Sequence, residues 1–167
     1  MDRFGEKKVF IFSVLLMSVF VGVVLPYMSG YTESLIGTNI SPDTSFFVLP
    51  KRLYEIARIY GSDGRRAYIV LRFTFDLVWP CVYLLFFVSS FTYLGMRKYI
   101  LPILGVVFDL LENITASILM GLYPKEIYPL AYLFSIFNAA KWVFITASFI
   151  MLIVLLIKKA FFTHSNE

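Results

Sequence analysis

Long apolar stretches alternate with short polar ones along almost the whole chain. Four of the apolar stretches reach about 20 residues or more, the length that an α-helix needs to cross roughly 30 Å of hydrocarbon. We place these four predicted transmembrane helices at about residues 9–27, 67–95, 99–122 and 128–157. The pattern therefore predicts an all-α integral membrane protein, in which a four-transmembrane-helix bundle forms a single membrane domain over residues 1–167.

The long predicted loop, residues 29–66, follows the first helix. Its first part is rich in Ser, Thr, Gly and Asn, which is typical of irregular structure. Over residues 50–60 the apolar side chains share one helical face: Leu53, Ile56, Ala57 and Tyr60. We therefore expect a short amphipathic helix that lies on the membrane surface or caps the bundle. In the second transmembrane helix, Pro80 predicts a kink.

Composition agrees with the membrane assignment. Of the 167 residues, 59% are hydrophobic and 16% are charged, whereas a typical soluble domain is about 25% charged. The net charge is +4, but the basic residues lie at segment ends and in the loop, and no basic tract alternates with aromatic residues. This arrangement argues against nucleic acid as a partner and suits the headgroups of membrane lipids.

Four crossings place both termini on the same side of the membrane. If that side is cytoplasmic, the basic residues on the two sides are nearly equal in number. The basic residues in short loops and tails count most in the positive-inside rule, and they lie on the side of the termini. We therefore predict that both termini are cytoplasmic.

The chain has one cysteine, Cys81, and one histidine, His164. These counts exclude an intrachain disulfide, a zinc site built from Cys and His, and a Ser-His-Asp triad. We predict neither a metal nor a cofactor. Carboxylates, Lys, Arg, Tyr and Asn are left to carry the chemistry.

Charged residues inside the predicted helices are the strongest indication of a functional site. An ionisable side chain at bilayer depth costs roughly 2.5–3.5 kcal/mol on insertion scales, so each one requires a reason. The second helix carries Arg72 and Asp76, the third Asp109 and Glu112, and the fourth Lys141. Because a helix rises ~1.5 Å per residue, three helices bring charge to nearly the same depth, close to the bilayer midplane.

Polar and aromatic residues share the helical faces of these charges, at i, i+3 or i+4 spacing. The asparagines can satisfy the remaining hydrogen bonds, since unpaired polar groups are costly in a dry interior. The aromatic side chains can wall a cavity. Arg72 is placed so that its side chain can snorkel toward the interface. The candidate ligand-binding residues are Asp76, Asp109, Glu112, Asn113, Asn138, Lys141, Trp79, Tyr83, Trp142 and Arg72.

Three carboxylates and two cations give this cluster an excess of negative charge. One interpretation is a salt-bridge network that only fixes helix register. Our leading interpretation is a polar cavity that binds a small amphipathic or cationic ligand, lipids included, with Lys141 paired to one of the acids. The alternatives are an intramembrane isomerase or hydrolase that uses paired carboxylates as general acid and base, and an accessory subunit whose charges face a partner protein or another copy in an oligomer.

Two short stretches resemble motifs of known families. Residues 137–140 (FNAA) resemble the start of the Phe-Asn-x-Ala-Asp motif of signal peptidase II. Lys141 stands where that family carries a catalytic aspartate, and its other catalytic motif is absent, so membership is excluded. Residues 75–80 (FDLVWP) resemble an acidic-then-proline stretch in the second helix of the EXPERA group, which includes sterol isomerases and the sigma-2 receptor. This resemblance implies a lipid- or sterol-sized cavity with an acidic anchor.

Overall fold

The computed structural model describes residues 3–164, and it describes the side chains of residues 6–43 and 45–161. Every regular element in this range is helical. The elements are α1 (Arg3–Val19), a π-helical turn (Phe20–Val24), α2 (Leu25–Ile36), a 3-10 turn (Pro42–Thr44), α3 (Pro50–Arg72), α4 (Phe75–Tyr93), α5 (Ile100–Leu122) and α6 (Tyr128–His164). Four helical segments are long and apolar enough, by length and composition, to cross a membrane: Glu6–Ile36, Pro50–Tyr93, Ile100–Leu122 and Tyr128–Phe161.

The first helical segment is longer than the apolar pattern predicts. It continues through the π-helical turn into α2 and ends where Gly37 adopts a left-handed conformation with φ 82°. The prediction of a loop from residue 29 is therefore wrong. Small polar residues in this stretch do not break the helix, because a side chain such as that of Ser34 bonds to the helix itself, donating to the carbonyl of Tyr31 at 2.7 Å. The helix ends instead at the glycine, a common C-terminal signal.

The amphipathic helix predicted at residues 50–60 is present as the first part of α3. Its predicted apolar face is buried against the bundle, with exposures between 1% and 5%: Leu53, Ile56, Ala57 and Tyr60. α3 then continues past Gly61, which has the non-helical angles φ 63° and ψ −174°. Two helices therefore meet at a kink at Gly61, and the second of them begins at about residue 62, earlier than the predicted residue 67.

The backbone between α3 and α4 breaks at Phe73 and Thr74, and the break does not coincide with Pro80, which lies within α4. Pro80 has no N–H, so the carbonyl of Asp76 lacks its usual helical donor. The side-chain amide of Asn113 in α5 donates to that carbonyl at 3.3 Å. A neighbouring helix thus supplies the hydrogen bond that proline removes, and α4 continues through Pro80.

Two apolar clusters lie on either side of the buried polar residues. One joins α3 to the end of α5 and the start of α6, with Leu119 and Phe134 among its members. The other joins α4 to α1 and the far part of α6, around Phe87 and Phe91. Along α5 and α6 the buried polar residues fall between these clusters, so apolar packing encloses them at both ends.

The break in α3 offers a test of the fold. A side chain at Gly61 would meet no atom within 4 Å, so any cost of Gly61→Ala comes from its positive φ. We expect this change to destabilise the protein by about 1–3 kcal/mol. The matched control is Gly30→Ala in α2, which also points into open space and which we expect to be neutral or slightly stabilising. Unfolding in detergent measures both; equal stability of the two variants would contradict the observed backbone.

Candidate functional site

The guanidinium of Arg72 lies at the centre of the buried polar site. Arg72 is the last residue of α3 and is 3% exposed. Its Nη2 lies 3.0 Å from Oδ1 of Asp43, and its Nη1 lies 3.0 Å from Oδ2 of Asp76 and 3.7 Å from Oε1 of Glu112. One side chain therefore ties together the loop before α3, the start of α4 and the middle of α5. The expectation that Arg72 snorkels to the surface is wrong, because its carboxylate partners lie inside the bundle.

Two uncharged side chains complete the surroundings of Arg72. Its Nη2 donates to the hydroxyl of Tyr68 at 2.6 Å, and the guanidinium carbon lies 4.5 Å from the centre of the Tyr68 ring. Its Nη1 donates to Oδ1 of Asn113 at 2.9 Å. The same Asn113 donates through Nδ2 to the carbonyl freed by Pro80. Asn113 thus couples the interrupted hydrogen bonding of α4 to the position of the buried cation.

Lys141 makes the ion pair that the matched depths predict. Its Nζ lies 2.5 Å from Oε2 of Glu112, and both residues are buried. Glu112 lies between Lys141 and Arg72, so a continuous chain of charges crosses from α6 through α5 to α3. Trp142 lies beside this chain, with its ring 5.2 Å from the Lys141 ammonium. Trp142 is 40% exposed, whereas Lys141 and Glu112 are buried.

The hydrogen-bond partner of Asp109 is a tyrosine of α4. Asp109 is 5% exposed and accepts a hydrogen bond of 3.1 Å from the hydroxyl of Tyr83. Among the residues that the structure describes, no ion pair involves Asp109. Trp79 packs edge-on against Tyr83 and stacks on Phe20 in the π-helical turn. These predicted site residues therefore join α4 and α5 to the first helical segment.

Asn138 bonds to the backbone of the loop before α3. Its Nδ2 donates to the carbonyls of Ser45 and Phe46, at 2.5 Å and 3.2 Å. One turn earlier in α6, the hydroxyl of Ser135 donates to the carbonyl of Val48. Side chains of α6 thus bond to the backbone of the loop and hold it against the bundle.

The structure adds two residues that the sequence analysis missed, Asp43 and Tyr68. Asp43 lies in the 3-10 turn and accepts a hydrogen bond from the hydroxyl of Ser41. The Ser-Pro-Asp sequence of this turn is a recognisable turn signal, but it does not show that the turn packs against Arg72. Tyr68 precedes Arg72 by four residues, so helical spacing could have indicated their contact.

Electrostatics keep Asp43 ionised. Burial raises the pKa of Asp43. The charges of Arg72 and Lys141 and the hydrogen bond from the Ser41 hydroxyl together lower it by more, and the result is a pKa of about 2. Asp43 is therefore a carboxylate across the physiological range. With Asp43 included, four carboxylates accompany two cations in the site, so the negative excess is larger than the sequence predicts.

A cavity of about 290 Å³ opens beside Arg72, between α2 and the junction of α3 with α4. Its charged lining consists of Glu33, Asp43, Arg72 and Asp76. Two of the predicted site residues, Arg72 and Asp76, are therefore in its wall. The others lie outside the lining: Glu112, Asn113, Lys141, Asp109, Tyr83, Trp79, Asn138 and Trp142.

Three of the acids in the site are paired with cations and not grouped with one another as metal ligands would be. Among the side chains that the structure describes, no group of three or more His, Cys, Asp or Glu residues is placed to hold a metal ion. Arg72 lies among Asp43, Asp76 and Glu112, and Lys141 pairs with Glu112. The site is therefore built from ion pairs and hydrogen bonds.

Comparison with protein-family models, with curated proteins and with solved structures finds no match for this chain. The likeness of residues 75–80 to the EXPERA group therefore rests on those residues alone.

The first prediction for the site concerns the pair formed by Lys141 and Glu112. Lys141→Met strands a buried carboxylate and should destabilise the protein by roughly 3–5 kcal/mol. Adding Glu112→Gln should recover most of the loss, whereas adding Asp109→Asn should not, because Asp109 bonds to Tyr83. Chemical unfolding in detergent measures the coupling. Equal recovery by both second changes would show that Lys141 has no specific partner.

The second prediction concerns Asp43. Its pKa is lower in the folded protein, about 2, than its ordinary value of 3.8. The carboxylate therefore contributes about 2 kcal/mol above pH 4, and this contribution is lost as the pH falls from about 4 to about 2. We expect the melting temperature of Asp43→Asn to fall less than that of the wild type as the pH is lowered from 4 to 2, when both are measured between pH 2 and 6. The exposed Asp63 supplies the control: if Asp63→Asn changes the profile equally, Asp43 has no special role.

Proposed function

We propose that this chain is a multi-pass membrane protein that binds a small cationic amphiphile in the cavity beside Arg72. The observation that carries the proposal is the charge of the cavity wall. Among the described residues, that wall contains three carboxylates, those of Glu33, Asp43 and Asp76, and one cation, Arg72. In this proposal both termini face the cytoplasm, in keeping with the positive-inside rule.

The excess charge of the wall favours a cationic ligand. Arg72 already contacts Asp43 and Asp76, and behind the wall it also approaches Glu112. Lys141 pairs with Glu112, so the guanidinium is left to balance the two acids of the wall that it contacts, Asp43 and Asp76. A positively charged headgroup would supply the missing charge in a site where little water screens it. The aromatic rings of Tyr60 and Tyr68 also line the cavity, and such rings attract ammonium groups.

The shape and the apolar part of the wall favour a small amphiphile. The volume of about 290 Å³ lies just below the ~300–1,000 Å³ range of ligand pockets. It suits a headgroup with a short apolar portion better than a whole sterol. Apolar side chains from α2, α3 and α4 provide the complementary surface: Leu25, Met28, Leu71 and Phe75.

The placement of the charges supports a cavity over the alternatives. Arg72, Glu112 and Lys141 are buried inside the bundle, whereas an accessory subunit would present such charges to a partner helix on its outer face. A network that only fixed helix register would need no excess of carboxylates and no opening beside them. Both features are present next to Arg72.

Titration with three probes that share an eight-carbon chain but differ in the charge of the headgroup tests the proposal. Octyltrimethylammonium should bind the full-length protein in maltoside detergent and raise its melting temperature, whereas octyl glucoside and octanoate should not. Asp76→Asn should weaken the binding of the cation about tenfold, equivalent to 1.4 kcal/mol. Glu33→Gln should weaken it less, because Glu33 is exposed and its charge is screened.

Two controls separate binding from stability. Glu33 makes no ion pair with Arg72, so Glu33→Gln tests the cavity while leaving the buried network unchanged. Asp63→Asn makes the same change of charge outside the cavity and should leave the affinity unaltered. Preferential binding of octanoate would reverse the proposed sign of the ligand. Equal binding of all three probes would show that the acids play no part.

A further inference from the structure

A second cleft, of about 680 Å³, lies at the other end of the bundle. It is formed by the start of α1, the turn between α4 and α5, and the end of α6. Four cations and one acid line it: Lys7, Arg97, Lys158, Lys159 and Glu6. The balance is three positive charges among these described residues, opposite in sign to the wall of the cavity beside Arg72.

Contacts with neighbouring residues orient two of these cations. Nη2 of Arg97 lies 3.3 Å from Oε1 of Glu6, and the Arg97 side chain is still 76% exposed. The ammonium of Lys159 lies 3.9 Å from the centre of the Tyr93 ring. Tyr93 in turn stacks on Phe10 in α1, with ring centres 4.5 Å apart. Side chains from three helical segments thus direct positive charge into one cleft.

The position of the cleft identifies the class of ligand. It lies where three of the apolar segments end, which is the expected level of lipid headgroups if the chain spans a membrane. Leu155 contributes apolar surface on the side of the helices. Arg and Lys together supply several donors to a phosphate group, and the pairing with an anion is charge-assisted. A lipid phosphate presents this chemistry while its acyl chains remain against the apolar helices.

We propose that this basic cleft binds the phosphate of an anionic phospholipid. The proposal rests on the membrane embedding proposed above and is independent of the ligand of the cavity beside Arg72. Arg97 and Lys158 bind the phosphate from the α4–α5 turn and from α6, and Lys7 and Lys159 add positive charge. Glu6 positions Arg97 by its ion pair.

The experiment compares two phospholipids on the full-length protein in detergent, with retained lipid counted by native mass spectrometry. Phosphatidylglycerol should bind more tightly than phosphatidylcholine. Arg97→Gln with Lys158→Gln should weaken the binding of phosphatidylglycerol by roughly fivefold for each charge removed. The matched control is Lys51→Gln with Arg58→Gln, which removes two exposed charges at the opposite end and should leave the affinity nearly unchanged.

Three results would overturn the proposal. They are equal loss of binding in the site pair and the control pair, equal affinity of the wild type for the two lipids, and displacement of the lipid by an equal concentration of inorganic phosphate. If the double variant Arg97→Gln with Lys158→Gln does not fold, a second double variant, Arg97→Lys with Lys158→Arg, conserves the charge and must retain binding. The preference of the wild type for phosphatidylglycerol over phosphatidylcholine then remains the deciding measurement. Octyltrimethylammonium binding should survive in Arg97→Gln with Lys158→Gln, so the two sites can fail separately.

Discussion

The burial of one guanidinium is the constraint on which the rest of the site depends. A buried cation without partners would cost several kcal/mol, so Arg72 must be surrounded by carboxylates and acceptors. Its partners come from separate parts of the chain: Asp43 from the loop, Asp76 from α4, and Glu112 and Asn113 from α5. The loop cannot leave the bundle without taking a carboxylate from this cation. Loop position, helix packing and charge balance are therefore parts of one interaction.

The proline of α4 belongs to the same interaction. By removing one helical hydrogen bond, Pro80 leaves a carbonyl at Asp76 that requires a donor. Asn113 supplies that donor, which fixes its amide so that its oxygen faces Arg72. The interruption at Phe73 and Thr74 separates Arg72 from Asp76 along the backbone, yet their side chains remain 3.0 Å apart. The backbone is thus interrupted next to the place where the charges meet.

The two clefts have opposite charge and different surroundings. Beside Arg72 the acids are close to buried ion pairs, where little water screens them and each charge acts strongly on a ligand. At the end of α6 the cations are exposed, so their attraction is weaker, depends on salt and requires several charges acting together. For this reason we propose a single cationic headgroup as the ligand of the cavity beside Arg72. For the basic cleft we propose a lipid phosphate, which is abundant at a membrane surface.

The sequence by itself determined the four long apolar helices and the pairing of Lys141 with one of the buried acids, because helical periodicity and a constant rise per residue convert spacing into face and depth. It also indicated that Arg72 and Asp76 belong to one site. Only the tertiary structure decided that Asp43 completes that site and that Asp109 bonds to Tyr83. A loop has no periodicity from which its position can be calculated, and helical spacing does not choose among partners on neighbouring helices. Those choices depend on how the whole chain packs around a charge that cannot be left unpaired.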